Sequence, residues 1–258
     1  MRTPIQPEPL RDIRLDVMAC QRCRFGAERK NACPGDGDAT APIFMIGEAP
    51  GRLENKTGKV FSGAPGDKLD EWLWRAGLRR EHLFVTNVLK CAPLKEVEGE
   101  NGMYLKMSFP EDDEPVDKCL KWLDAQLRIV QPRAVILLGE RALHHVLLRG
   151  AVGQARPFGP WISKLCRRRD KYGETRFACI LHPARLVRSP NPYDEADCVE
   201  ALVRVKEYVN AVQKGEMPPL EDLHEVKSLS PPQYQHRLRL FGREQTGTTD
   251  AKADEEST

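Results

Sequence analysis

The chain has 258 residues, of which 40% are hydrophobic, with 19 Gly, 20 Pro and eight Cys. That apolar share is ordinary for a globular chain of one or two domains and excludes a disordered or collagen-like molecule. Forty Lys or Arg against 38 Asp or Glu leave a net charge of +2, so whole-chain charge singles out no partner class.

No stretch approaches the roughly 18 uninterrupted apolar residues of a membrane span. Residues 1–10 carry Arg2, Glu8 and three prolines and lack the apolar run of a secretory signal, so a reducing, cytoplasmic setting is expected. Cysteines there bind metal or do chemistry more often than they pair; small core hydrophobes are the other reading.

In chain order, Asp12–Ala19 reads as a short helix, followed by Cys20-Gln-Arg-Cys23. Pro34-Gly-Asp-Gly-Asp38 is a turn cluster. Ala41–Gly47 is a short, fully apolar strand. Asp67–Gly77 has helical periodicity (Leu69, Trp72, Leu73, Ala76) and a glycine stop. His82–Val88 is a second buried strand. Residues 93–112, polar with Gly and Pro, read as a long loop. Pro115–Val130 is an amphipathic helix, Arg133–Gly139 a third strand with a helix to about Leu148, Thr175–Leu181 a fourth strand, and Asp194–Val212 a last helix. Four apolar strands alternating with helices predict a mainly parallel sheet covered on both faces. Residues 1–213 form one domain. Residues 214–258 read as a flexible tail; its last 17 residues carry two positive and five negative charges and too little apolar surface to order themselves.

In such sheets ligands sit beyond the carboxyl ends of the strands. Three motifs fall there: Gly47-Glu-Ala-Pro-Gly51, Thr86-Asn-Val-Leu-Lys90 and His182-Pro-Ala184. Gly47 lets backbone approach a ligand and Glu48 stands at the mouth of the sheet, although a turn with an incidental Glu fits as well. Asn87 offers a donor and an acceptor together, which suits the edge of a base; it also fits a structural Asn. His182 could donate to developing negative charge or simply be satisfied in place. From Lys164 to Arg188 there are eight Lys or Arg and two Asp or Glu, a local +6 suited to phosphates, or a solvated loop. Cys20 and Cys23, with Cys91 and Cys119 from two other segments, would suit zinc or an iron–sulfur cluster, and spacing does not choose between them. Cys33, Cys166, Cys179 and Cys198 read as structural.

Together these motifs resemble the family 4 uracil-DNA glycosylases. The matching run is Cys20-x-x-Cys23-Arg24, Gly47-Glu-Ala-Pro-Gly-Arg-Leu-Glu54, Gly58-Lys-Val-Phe-Ser-Gly63, Thr86-Asn-Val-Leu-Lys-Cys91, Cys119, Leu138-Gly139 and His182-Pro-Ala-Arg-Leu-Val-Arg-Ser-Pro190, within about residues 15–212. The resemblance implies an α/β fold, three-layer α/β/α with a central four-stranded mainly parallel sheet. It implies a DNA repair enzyme that flips uracil out of single- or double-stranded DNA and hydrolyses its N-glycosidic bond, leaving an abasic site.

By the same resemblance, Glu48 helps position or activate water and His182 stabilises the departing uracil anion. Gly47, Glu54, Phe61 and Asn87 bind the base: Phe61 stacks on it, Asn87 reads its edge, and Glu54 lines the pocket. Leu186 is the wedge that fills the gap in the stack, and Arg185, Arg188 and Ser189 hold the flanking phosphates. Cys20, Cys23, Cys91 and Cys119 hold a [4Fe–4S] cluster, zinc being the alternative. The segment between Cys91 and Cys119 is longer than usual for the family, which leaves base range open. The competing classes are a glycosylase-fold DNA-binding module with altered or broader damaged-base range and a zinc-stabilised hydrolase of free nucleotides. Leu238-x-Leu240-Phe241 resembles the peptide by which bacterial repair enzymes dock on the sliding clamp. A monomer, nucleoid-associated and without membrane contact, is expected.

Overall fold

A computed structural model describes residues 8–99, 102–110, 114–146, 165–170, 173–216 and 224–225. Four strands form the parallel centre of one sheet: β2 (Ile43–Gly47), β3 (Leu83–Asn87), β6 (Ala134–Leu138) and β8 (Gly173–Ile180). These are the four strands expected from sequence. β2, β3 and β6 are buried at every position, because helices cover both faces; hence they read as unbroken apolar runs rather than alternating ones.

The two faces split cleanly. Phe44, Phe84, Val135 and Phe177 point to one side, where α1 (Glu8–Ala19), α5 (Glu114–Val130) and α6 (Glu140–Val146) pack. Met45, Val85, Ile136 and Ala178 point to the other, under α4 (Ala64–Arg75), α7 (Pro183–Arg188) and α8 (Pro192–Gln213). On α5, Val116, Cys119, Leu123, Leu127 and Val130 recur at helical spacing and are all buried. Each large side chain so buried contributes about 1.5–3 kcal/mol relative to exposure. α8 starts at Asn191, whose Oδ1 accepts from the Tyr193 and Asp194 N–H groups, with Pro192 in its first turn. The three-layer arrangement is therefore as expected.

The sheet is wider than the four strands. β1 (Asp36–Gly37) adds antiparallel to β3, β7 (Leu165–Asp170) antiparallel to β8, and β9 (His224–Glu225) parallel to β7, giving seven strands. β9 lies past residue 213, inside the stretch read as a tail. Residues 93–112 do not form the expected loop. They hold a hairpin, β4 (Leu94–Gly99) paired with β5 (Gly102–Met107) in the register Val97↔Tyr104 and Gly99↔Gly102. Asn101-Gly102 in the sequence is a hairpin signal that the loop reading did not use. The hairpin has no buried face to mark it: Met103, Tyr104, Leu105 and Met107 of β5 are all exposed. Two short helices, α2 (Arg24–Glu28) and α3 (Arg52–Thr57), were below the length that periodicity detects. Among the described residues, no helix is long and apolar enough to cross a membrane. Leu238, Leu240 and Phe241 lie outside the described residues, as do the side chains of Arg167, Arg168 and Arg169.

Candidate active site and cysteine site

β2, β3, β6 and β8 all end on one edge of the sheet, and their last residues bring the three motifs together. Gly47 ends β2 and pairs with Asn87 at the end of β3. Gly139 follows β6 and donates its N–H to the Ile180 carbonyl at the end of β8, two residues before His182.

Two glycines open the space between these groups. A Cβ at Gly47 would lie 2.3 Å from Asn87 Oδ1 and 2.5 Å from Phe61 Cζ. A Cβ at Gly139 would lie 2.6 Å from Glu48 Oε1 and 3.0 Å from His182 Cβ; its φ of +88° also favours glycine. One glycine thus marks where Asn87 meets Phe61, the other where Glu48 meets His182.

Asn87 is 1% exposed, and its Oδ1 is buried without a hydrogen-bond partner. A buried orphan acceptor costs about 1–3 kcal/mol, a cost a ligand donor would remove. Phe61 has a positive φ of 49°, unusual for a bulky residue. Arg80 Nη1 donates to the Phe61 carbonyl at 3.0 Å and helps hold that backbone. The Phe61 ring stacks on His182, centroids 5.9 Å apart and planes 29° apart.

His182 is also the N-cap of α7. Its Nδ1 accepts from the Ala184 N–H at 3.2 Å. That bond assigns the neutral tautomer: Nδ1 carries the lone pair and Nε2 the proton. Burial, and then the Arg188 charge, push the His182 pKa down to about 4, so the ring is neutral near pH 7. Glu48 is shifted the other way. Burial raises its pKa above the usual carboxylate range, partly offset by Arg141, whose backbone N–H also hydrogen-bonds the carboxylate in the first turn of α6, and by Arg188. The helix terminus favours the anion there.

Glu54 acts as a clamp on the loop that carries Phe61. Its Oε2 accepts from the Gly51 N–H at 3.0 Å, and its Oε1 from the Ser62 and Gly63 N–H groups at 3.0 and 3.3 Å. Both oxygens are occupied by backbone, so the carboxylate shapes the pocket through the loop. Arg185, Arg188 and Ser189 are exposed on α7 and its C-cap. Leu186 does not fit the expected wedge: it is 2% exposed and packs on the core face shared with α4 and α8. The helical turn points Leu186 inward and leaves Val187, 41% exposed, on the outside. Arg176, counted in the basic stretch, is buried with its guanidinium 5.3 Å over the Tyr208 ring. Sequence reasoning passed over Gly139 and Arg141 as site residues. A glycine directly after a strand was the available signal for the first; nothing local marked the second.

The four predicted cysteines form one neighbourhood. Cys20 and Cys23 follow α1, Cys91 follows β3 and Cys119 lies on α5, and each is a free thiol. Arg29 bridges two of the segments, donating to the Cys20 carbonyl as well as to Cys91. Arg29 Nη1 donates to Cys91 Sγ at 3.3 Å, and the Lys90 N–H to Cys119 Sγ at 3.2 Å. Such donors favour thiolates. Burial pushes the bare thiols of Cys91 and Cys119 up to about 11 and about 12, so a bound cation must supply the drive to ionise them. Among the described residues, no three His, Cys, Asp or Glu side chains close on a single ion. Cys33, Cys179 and Cys198 are buried in the core, as expected; Cys33 Sγ donates to the Glu54 carbonyl.

The family model of the Uracil DNA glycosylase superfamily matches residues 34–204, two thirds of the chain. The chain belongs to this superfamily. It is similar to the Type-4 uracil-DNA glycosylase of Sulfurisphaera tokodaii, 31% identical over 71% of this chain and 78% of that protein. It is also similar to those of Pyrobaculum aerophilum, 33% identical over 67% and 82%, and Thermotoga maritima, 28% identical over 75% and 91%.

Proposed function

We propose that the protein is a uracil-DNA glycosylase that takes uracil out of the stack and hydrolyses its N-glycosidic bond, leaving an abasic site. The observation that carries this reading is the orphan Oδ1 of Asn87, buried beside Phe61 where Gly47 leaves room. Uracil presents an N3–H donor next to the O4 acceptor, which match the oxygen and the NH₂ of one carboxamide. Cytosine presents the opposite pair, so Oδ1 would face a lone pair. Phe61 stacks on the flipped base.

Cleavage sends the bonding electrons to the base as its anion and leaves a cationic sugar. The neutral Nε2–H of His182 donates to the developing charge on the base. Glu48, on the far side of the Gly139 gap, opposes the sugar cation and takes a proton from the attacking water. Arg185, Arg188 and Ser189 meet the flanking phosphates, and Val187 takes the place expected for Leu186 as the wedge.

Cys20, Cys23, Cys91 and Cys119 fit a [4Fe–4S] cluster: four free thiols from three segments, with N–H donors to two of the sulfurs. When bound, that group ties the N-terminal segment to the sheet. A brown preparation with iron and sulfide favours the cluster; a colourless one with zinc refutes it. Clamp docking through Leu238, Leu240 and Phe241 is dropped if deleting residues 232–258 leaves clamp affinity unchanged.

The test of the base assignment is a pair of otherwise identical DNA strands, one with a single uracil and one with cytosine in its place. Free uracil alone should be released, and Asn87→Asp should lose that preference while the protein stays folded. A wild-type preference in Asn87→Asp defeats the assignment. A non-catalytic DNA-binding module is disfavoured by Glu48 and His182 flanking one gap with opposed pKa shifts.

A further inference from the structure

Lys90 is fully buried, and the mechanism above does not use it. Its Nζ donates to Thr86 Oγ1 at 2.7 Å, to the Asn87 carbonyl at 2.7 Å and to Gln126 Oε1 at 2.8 Å. An ammonium has three protons, so its donors are all committed to neutral oxygens. The acceptors are themselves tied down: Thr86 Oγ1 and Gln126 Nε2 both donate to the Pro34 carbonyl. Through its backbone, Lys90 also donates to Cys119 Sγ and accepts from the Cys33 N–H.

A buried charge without a bonded counter-ion is costly, and an apolar side chain would fill the volume at less expense. Its place accounts for it. The ammonium links the Asn87 carbonyl at the end of β3 to Gln126 on α5, the helix that carries Cys119.

We propose that Lys90 is a positioning residue serving both sites at once: its ammonium fixes the end of β3 that carries Asn87 and ties it to α5, the helix that carries Cys119. The proposal rests on Asn87 reading the base. It is tested with the metal-loaded protein and two DNAs, one carrying a single uncleavable 2′-fluorinated deoxyuridine and one undamaged. Lys90→Met should weaken uracil-specific binding roughly tenfold, the scale of a lost charged hydrogen bond, with affinity for undamaged DNA unchanged. Its bound metal should be drawn out by chelator several-fold faster. Folded Lys90→Met with wild-type values of both would overturn the proposal. Should that variant be insoluble, Gln126→Met decides: it keeps the ammonium and removes its tie to α5, so uracil-specific binding should weaken and metal loss should quicken. Wild-type uracil binding in Gln126→Met overturns the proposal. Asn87→Ala separates the two levels, since full uracil preference there would refute the base-reading assignment itself.

Discussion

A methyl group at Gly47 would lie within 2.3 Å of Asn87 Oδ1 and 2.5 Å of Phe61 Cζ. Gly47→Ala should therefore lower uracil excision by about 100-fold or more, the scale of a misplaced reacting group, while most of the thermal stability survives. Steady-state kinetics beside a melting curve checks this. The two titrating residues make a second prediction. Glu48 acts as an anion and has a raised pKa, so kcat/KM should fall as pH drops through a value above 4.5. Glu48→Gln should abolish that limb, and His182→Asn should leave it in place while slowing cleavage about 100-fold. His182 works in its neutral form. Its folded pKa, about 4, lies below the unfolded 6.5, so its stabilising contribution is complete above pH 6.5 and is lost as pH falls toward 4. At this scale the sequence was informative where a residue's chemistry is specific. Asn87, His182 and Glu48 could be named because amide, imidazole and carboxylate each suit one task at a strand end. Leu186 and Val187 could not be told apart, since both are apolar and only the rotation of α7 decides which is buried.

At the scale of elements, the site is assembled by parts that a hydrophobic pattern does not report. The loop from Gly51 to Gly63 has no core of its own and is held by Glu54 through three backbone N–H groups. Glu54→Gln turns one acceptor into a donor facing those amides. It should raise KM for uracil DNA several-fold and lower stability by about 1–3 kcal/mol. A change in kcat with no change in KM or melting temperature would contradict the clamp. The four parallel strands were legible because burial on both faces forces continuous apolar runs. The edge strands and the β4–β5 hairpin were not, because an exposed ribbon lacks the buried face whose apolar pattern marks a strand. The pairing of Val97 with Tyr104 is its signature, once pairing rather than burial is sought.

At the scale of the molecule, eight cysteines divide by geometry. Four gather where α1, β3 and α5 meet, three are buried in the core, and the side chain of Cys166 lies outside the described residues. If the four cysteines hold the proposed group, Cys119→Ser should lose it and lower the unfolding temperature by many degrees, since such a group would join the N-terminal segment to the sheet. Retained metal with wild-type melting would contradict the four-cysteine site. The net charge of +2 describes no single surface: Arg176 lies under Tyr208, whereas Arg185 and Arg188 stand exposed beside the site. Removal of uracil by hydrolysis at this strand edge is tested most directly by incubating the metal-loaded protein with DNA containing one uracil and then treating the DNA with alkali. Breakage at the uracil position should appear only after alkali, with free uracil released. Intact DNA after alkali, from folded and metal-loaded protein, would contradict it.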